Sequence, residues 1–84
     1  MERAILFFGR LRDVAGAARL DAAPPGHVRD VPALIDWLAA RDQELGKALR
    51  GPGVRVALDK SFVASDAALG ETHEIAFMSP LSGG

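Results

Sequence analysis

The 84-residue sequence contains no cysteine. That excludes a disulfide scaffold, a zinc ribbon, an iron–sulfur cluster and a thiol nucleophile together. It also lacks an excess of either charge: 10 Lys and Arg stand against 11 Asp and Glu, with no block of like charges. The electrostatic footprint of a nucleic-acid binder is therefore missing. Long hydrophobic runs are missing too. The opening "MERAILFFGRLRD" holds an apolar stretch only from Ala4 to Phe8 before Gly9 and charge intervene. That is too short for a signal-peptide core or a membrane span, so the expected location is the cytoplasm. Histidine is confined to His27 and His73, which sit in separate turn regions without a paired carboxylate at ligand spacing. Both read as surface residues, and no metal or bound cofactor is expected. Gly51-Pro52-Gly53 lacks the Gly-Lys-Ser/Thr of a phosphate loop and reads as a helix stop. Arg10, Arg12 and Asp13 read as a solvated face. No set of nucleophile, base and orienting group can be assembled.

What is there describes one small globular domain. Apolar residues make up 49 % and charged residues 25 % of the chain, an ordinary balance that argues against disorder. A chain of this length buries somewhat over about 60 % of its unfolded surface, enough to fold alone with little margin.

"RAILFF" (Arg3 to Phe8) has strand character and is broken by Gly9. "GRLRDVAGAA" predicts a short helical turn stopped near Gly16, and "ARLDAA" a weaker strand before Pro24-Pro25-Gly26. The clearest helix runs from Val31 to about Arg41, with Asp30 as its cap and Pro32 in its first turn. Val31, Leu34, Ile35 and Leu38 form its apolar stripe, and Trp37 covers the stripe's edge. Leu45 and Leu49 mark a further, shorter helical turn. "VRVALDKSFV" alternates, with a tight turn at Asp59-Lys60-Ser61 and a short strand at Phe62-Val63. "ASDAALGET" is turn-rich, and "HEIAFM" is the last strand. The expected fold is an α+β roll: a mixed four- to five-stranded sheet packed on one main helix. Residues 1–78 form the domain and residues 79–84 a thin, flexible tail.

Alternation along the strands exposes an apolar patch. If Ile5 and Phe7 face the helix, Leu6 and Phe8 face away, and Met78 lies opposite Phe77. Phe62 sits in a short strand after a turn. Phe8, Phe62 and Met78 are thus candidate partner contacts, unless loops cover them.

The ending, "FMSPLSGG", suggests chemistry on the chain's own carboxylate. Residues 79–84 can extend about 20 Å, far enough to enter another protein's buried site. Pro80 stiffens the base, Leu81 and Ser82 follow, and Gly83 and Gly84 lack the side chains that would block a narrow channel. A carboxylate at Gly84 is ionised at neutral pH and must be activated, most simply by attack on the α-phosphate of ATP. Sulfur or an amine can then displace AMP. Ordering six tail residues costs about 6–12 kcal/mol, so a docking patch elsewhere must offset it.

These features resemble a known family, the small subunit of molybdopterin synthase, a ubiquitin-like sulfur carrier of β-grasp fold. The resemblance rests on "LFFGRLRDVAG", "DVPALIDWLAA", "VRVALDKSFV" and "EIAFMSPLSGG" and covers almost the whole chain. It implies that Gly84 is adenylated by an ATP-dependent activating enzyme and converted to a thiocarboxylate with a sulfurtransferase. The tail then enters a large subunit, which supplies the catalytic lysine, and two sulfur transfers convert cyclic pyranopterin monophosphate to the molybdopterin dithiolene. The implied assembly is a heterotetramer in which this chain donates sulfur but has no catalytic centre of its own. The family's hydrophobic contacts to the large subunit match Phe8, Phe62 and Met78.

Three departures stand out. Thr72-His73-Glu74 replaces a usual Gly-Asp-Glu, which casts doubt on a positive φ at that turn. Asp59 replaces Asn, and Ser79-Pro80 replaces a proline pair, which predicts a looser tail base. The alternatives are a sulfur carrier for thiamine or tRNA thiolation, a protein modifier, or a β-grasp interaction module without chemistry.

Overall fold

A computed structural model describes residues 1–80 of the chain. The order of elements is β1 (Arg3–Phe8), α1 (Arg10–Ala15), β2 (Arg19–Ala22), α2 (Val31–Arg41), α3 (Gln43–Leu49), β3 (Arg55–Leu58), β4 (Ser61–Val63) and β5 (Glu74–Met78). The five strands make one mixed sheet in the order β2-β1-β5-β3-β4. Its central pair, β1 and β5, is parallel, with Ile5 opposite Ile75 and Phe7 opposite Phe77. All other pairs are antiparallel.

Period-two alternation divides the sheet into an inner and an outer face. Ile5, Phe7, Val56, Ile75 and Phe77 point inward and are buried. The helices supply the opposing layer through Val31, Leu34 and Leu38 of α2 and Leu45 and Leu49 of α3. Ile35 lies at the flank of this stripe and is only partly buried, as is Trp37. Trp37 carries the Arg41 guanidinium over its ring at 4.9 Å. Leu11, Val28 and Leu69 complete the core from α1 and the loops. The strand and α2 boundaries follow the sequence reading closely.

The main helix expected from Val31 is α2, and the further helical turn expected around Leu45 and Leu49 is a separate helix, α3, rather than a continuation. Asp42 is the reason. Its backbone leaves the helical region, ending α2, while its carboxylate accepts from the Leu45 amide and caps α3. Asp30 does the same for α2, accepting from the Ala33 amide at 2.8 Å. The turn-rich segment after β4 is also better ordered than its composition suggests. Val31 N–H donates to Ala67 O and Leu69 N–H to Arg29 O, tying this loop to the start of α2. Leu69 thereby enters the core.

The turn between β3 and β4 is a two-residue hairpin connection. Asp59 and Lys60 both have positive φ, as a type I′ turn demands. The Asp59 carboxylate accepts from the His73 and Glu74 amides at 3.1 and 3.0 Å, so it fastens the turn to the start of β5. Thr72 is spared the positive φ that its place in the motif predicts, since Gly70 adopts that conformation instead. Arg3 completes the closure, donating to the carbonyls of Thr72 and Gly70.

The contact between α2 and α3 is close at one point. A Cβ at Gly46 would lie 2.2 Å from the Ala39 Cβ and 2.8 Å from its Cα. Gly46→Ala gains up to about 1 kcal/mol of helix propensity. Overpacking at a buried backbone costs about 1–3 kcal/mol, so the collision decides the sign. Urea unfolding is expected to show a lower midpoint for this variant; an unchanged or higher midpoint would mean that the helices separate freely.

Candidate functional site

The outer face of the sheet carries the site. The register places Leu6, Ala76, Ala57 and Phe62 in one row across four strands, and Phe8, Met78 and Arg55 in the next. Phe8 and Phe62 are 47 % and 53 % exposed, the most open aromatic side chains of the domain. Met78 is half-buried between them in the sheet order. The structure thus brings the three predicted contact residues to one surface, and no loop among the described residues covers it.

Ala57 and Ala76 belong to that face yet are nearly inaccessible. They are short side chains among long ones. Together they form the floor of a groove of about 360 Å³ whose walls include Phe8, Phe62 and Met78. The Arg55 guanidinium carbon stands 3.9 Å from the centroid of the Phe62 ring, a cation–π arrangement. Sequence alternation locates Phe8 and Met78; nothing in it singles out Arg55, because the contact depends on the β3–β4 register.

The tail leaves at one end of this face. β5 stops at Met78, and the next two residues rest on bare backbone. The Arg10 amide donates to Ser79 Oγ at 3.1 Å. A Cβ on Gly9, whose φ is +63°, would lie 2.5 Å from that same oxygen. Pro80 sits on Gly53, with its Cγ 3.1 Å from where a Cβ would be, and Gly53 has φ +79°. Gly53 thus does more than stop a helix: it seats the proline. The looser base that Ser79-Pro80 predicts is not what the structure shows, because the serine hydroxyl reaches a backbone amide that proline could not engage. Leu81, Ser82, Gly83 and Gly84, the remaining tail positions, lie outside the described residues.

The other candidate groups stay apart. His27 and His73 are exposed, and so are Arg10, Arg12 and Asp13. Among the described residues no cluster of His, Cys, Asp or Glu could hold a metal ion, and no polar or charged residue is buried. No described helix is long and apolar enough to cross a membrane. What the arrangement offers is an exposed apolar face and, beside it, Ser79 and Pro80 seated on Gly9 and Gly53.

A five-stranded mixed sheet with a parallel central pair, helices on one face and a free opposite face is a ubiquitin-like β-grasp domain. The model of the ThiS family matches residues 5–84. The chain therefore belongs to the ThiS family, and is a ubiquitin-like protein of the sulfur-carrier and modifier type. Solved structures agree on the fold. Small archaeal modifier protein 1 from Haloferax volcanii superposes with a TM-score of 0.81 at 22 % identity, over the whole of both chains. A Pyrococcus furiosus protein assigned as molybdopterin converting factor, subunit 1, gives 0.76 at 22 % identity, covering 96 % of this chain and 99 % of that one. Small archaeal modifier protein 1 from Methanosarcina acetivorans gives 0.76 at 18 % identity, covering 99 % and 96 %. No curated protein matches the chain.

Two outcomes test this geometry. Phe62→Ser, which loses a half-exposed ring and its contact with Arg55, is expected to lower the unfolding free energy by about 1 kcal/mol, whereas Phe77→Ala costs about 3–5 kcal/mol. Equal losses would place Phe62 in the core instead. Gly9→Ala is expected to cost about 1–3 kcal/mol, and less in a Ser79→Gly background, where the collision partner is gone. Identical costs in the two backgrounds would show that Ser79 does not rest on Gly9.

Proposed function

We propose that this chain is the sulfur-donating small subunit of a molybdopterin synthase, acting in molybdenum cofactor biosynthesis in the cytoplasm. The single observation that carries the reading is the family match running through Gly83-Gly84. The pinned tail base and the apolar outer face support it.

On this reading Gly84 is the last residue of the mature chain. Its carboxylate oxygen attacks the α-phosphate of ATP on an adenylating partner, and pyrophosphate leaves. The outer sulfur of a sulfurtransferase persulfide then attacks the acyl carbon and AMP leaves; a thiol reduces the resulting acyl disulfide and releases the terminal thiocarboxylate. An unhindered glycyl carbon suits both displacements, and no side chain of this protein has to act. Leu81, Ser82 and Gly83 carry the reactive end into the large synthase subunit, whose lysine serves the sulfur transfer to cyclic pyranopterin monophosphate. Ser79 and Pro80 are held before docking, which removes their share, about 2–4 kcal/mol, of the ordering cost. Burial of Phe8, Phe62 and Met78, at about 1.5–3 kcal/mol each, offsets the rest. Two small and two large subunits make the heterotetramer.

A second reading keeps the adenylation and changes the acceptor: an amine of another protein, giving an amide, or the sulfur chemistry of thiamine or tRNA. The likeness to small archaeal modifier protein 1 favours considering it. Intact mass after co-expression with an adenylating enzyme and a sulfurtransferase separates a sulfur carrier from an amine-directed modifier, and loss of molybdopterin without Gly84 separates the molybdopterin route from those of thiamine and tRNA. The expected result is exchange of one oxygen for sulfur, confined to Gly84. Adenylation without that exchange would favour the modifier. Deleting Gly84 is expected to abolish cofactor synthesis while leaving the unfolding midpoint unchanged; retained synthesis would leave only a docking module.

A further inference from the structure

The outer face is mostly apolar, but it holds two cations, Arg55 over Phe62 and Lys60 at the edge of the groove, that no ion pair among the described residues neutralises. Among the described residues the ion pairs are Arg19 with Asp21 and Arg50 with Asp36. Neither involves Arg55. The groove's own carboxylate, Glu74, stands four residues before Met78 on β5, and Met78 is the residue opposite Arg55. At strand spacing that is about 13 Å away. Arg55 therefore lies over Phe62, exposed, with its guanidinium paired to no carboxylate among the described residues.

Docking changes its situation. A partner that covers Phe8, Phe62 and Met78 also removes water from Arg55, because the guanidinium rests on one of those rings. A buried, unpaired cation is strongly unfavourable, whereas a planar guanidinium stacked on an aromatic ring keeps its N–H fork for a carboxylate. The Ala57–Ala76 floor adds a shape requirement: the groove beside Arg55 is open to an apolar side chain. We infer that the partner protein seated on this face presents an Asp or Glu to Arg55, next to an apolar side chain that fills the groove between Phe8 and Phe62. A phosphate backbone fits poorly, since two cations, Arg55 and Lys60, on an apolar surface beside Glu74 give little charge to neutralise.

This inference rests on the reading of the outer face as the docking surface, and the test separates the two. The probe is the purified large synthase subunit of the same organism, titrated calorimetrically with the full-length chain at about 50 mM and about 500 mM salt. The parent is expected to bind several-fold more weakly at high salt. Arg55→Glu is expected to bind at least about 30-fold more weakly at low salt and to regain affinity as salt screens the repulsion. Arg55→Gln, which keeps the size without the charge, is expected to weaken binding and flatten the salt dependence. It stands in if the charge reversal fails to fold. Arg55→Glu and Arg55→Gln binding like the parent while Phe62→Ser loses tenfold or more would overturn the carboxylate and keep the docking face. Loss in both without any salt dependence would reduce Arg55 to a cover for Phe62, which also overturns it. If Phe62→Ser binds like the parent, the docking face itself is wrong and the inference falls with it.

Discussion

The parallel pairing of β1 with β5 is the constraint from which the rest of the molecule follows. It joins the beginning of the chain to its end at the centre of the sheet, with Ile5 against Ile75 and Phe7 against Phe77. Those residues occupy the middle of the core, and the Phe7 and Phe77 rings lie nearly parallel with centroids 6.2 Å apart. A slip of one residue in either strand would turn Phe8 or Met78 inward and expose the core. Because the apolar interior holds the register, the outward positions are set as well.

The same pairing decides where the chain departs. β5 ends beside the end of β1, so Ser79 meets the turn at Gly9 and the first amide of α1. Long-range packing thereby aims a segment whose own sequence has little to pack. The apolar outer face and the base of the tail are adjacent by construction: Phe8 precedes Gly9, and Met78 precedes the Ser79 that rests on it. On the proposed reading the reactive group is a backbone terminus and needs no buried catalytic cluster, and the described part of this domain buries no polar or charged residue.

Much of this was legible in the residues. The strands at Arg3–Phe8 and Glu74–Met78 declare themselves by composition and alternation, and α2 by its Asp30 cap and apolar spacing, since both signals are local. The outward patch follows from the same alternation. What was not legible depends on partners distant in sequence. Leu69 reads as part of a turn and becomes core only because its loop pairs with Arg29. Asp42 reads as one more polar residue after a helix, yet it ends one helix and caps the next. Gly46 gives no sign of its role until Ala39 is brought against it.

The residues alone settled the strands at either end of the chain, the capped helix α2 and the absence of a thiol, because composition and periodicity act over a few neighbours. Tertiary structure decided the rest. It set Arg55 on Phe62, made a groove of two alanines, and seated Ser79 and Pro80 on two glycines more than 25 residues away in sequence. Each of these contacts joins segments that only the sheet register brings together, so no local pattern could have announced them.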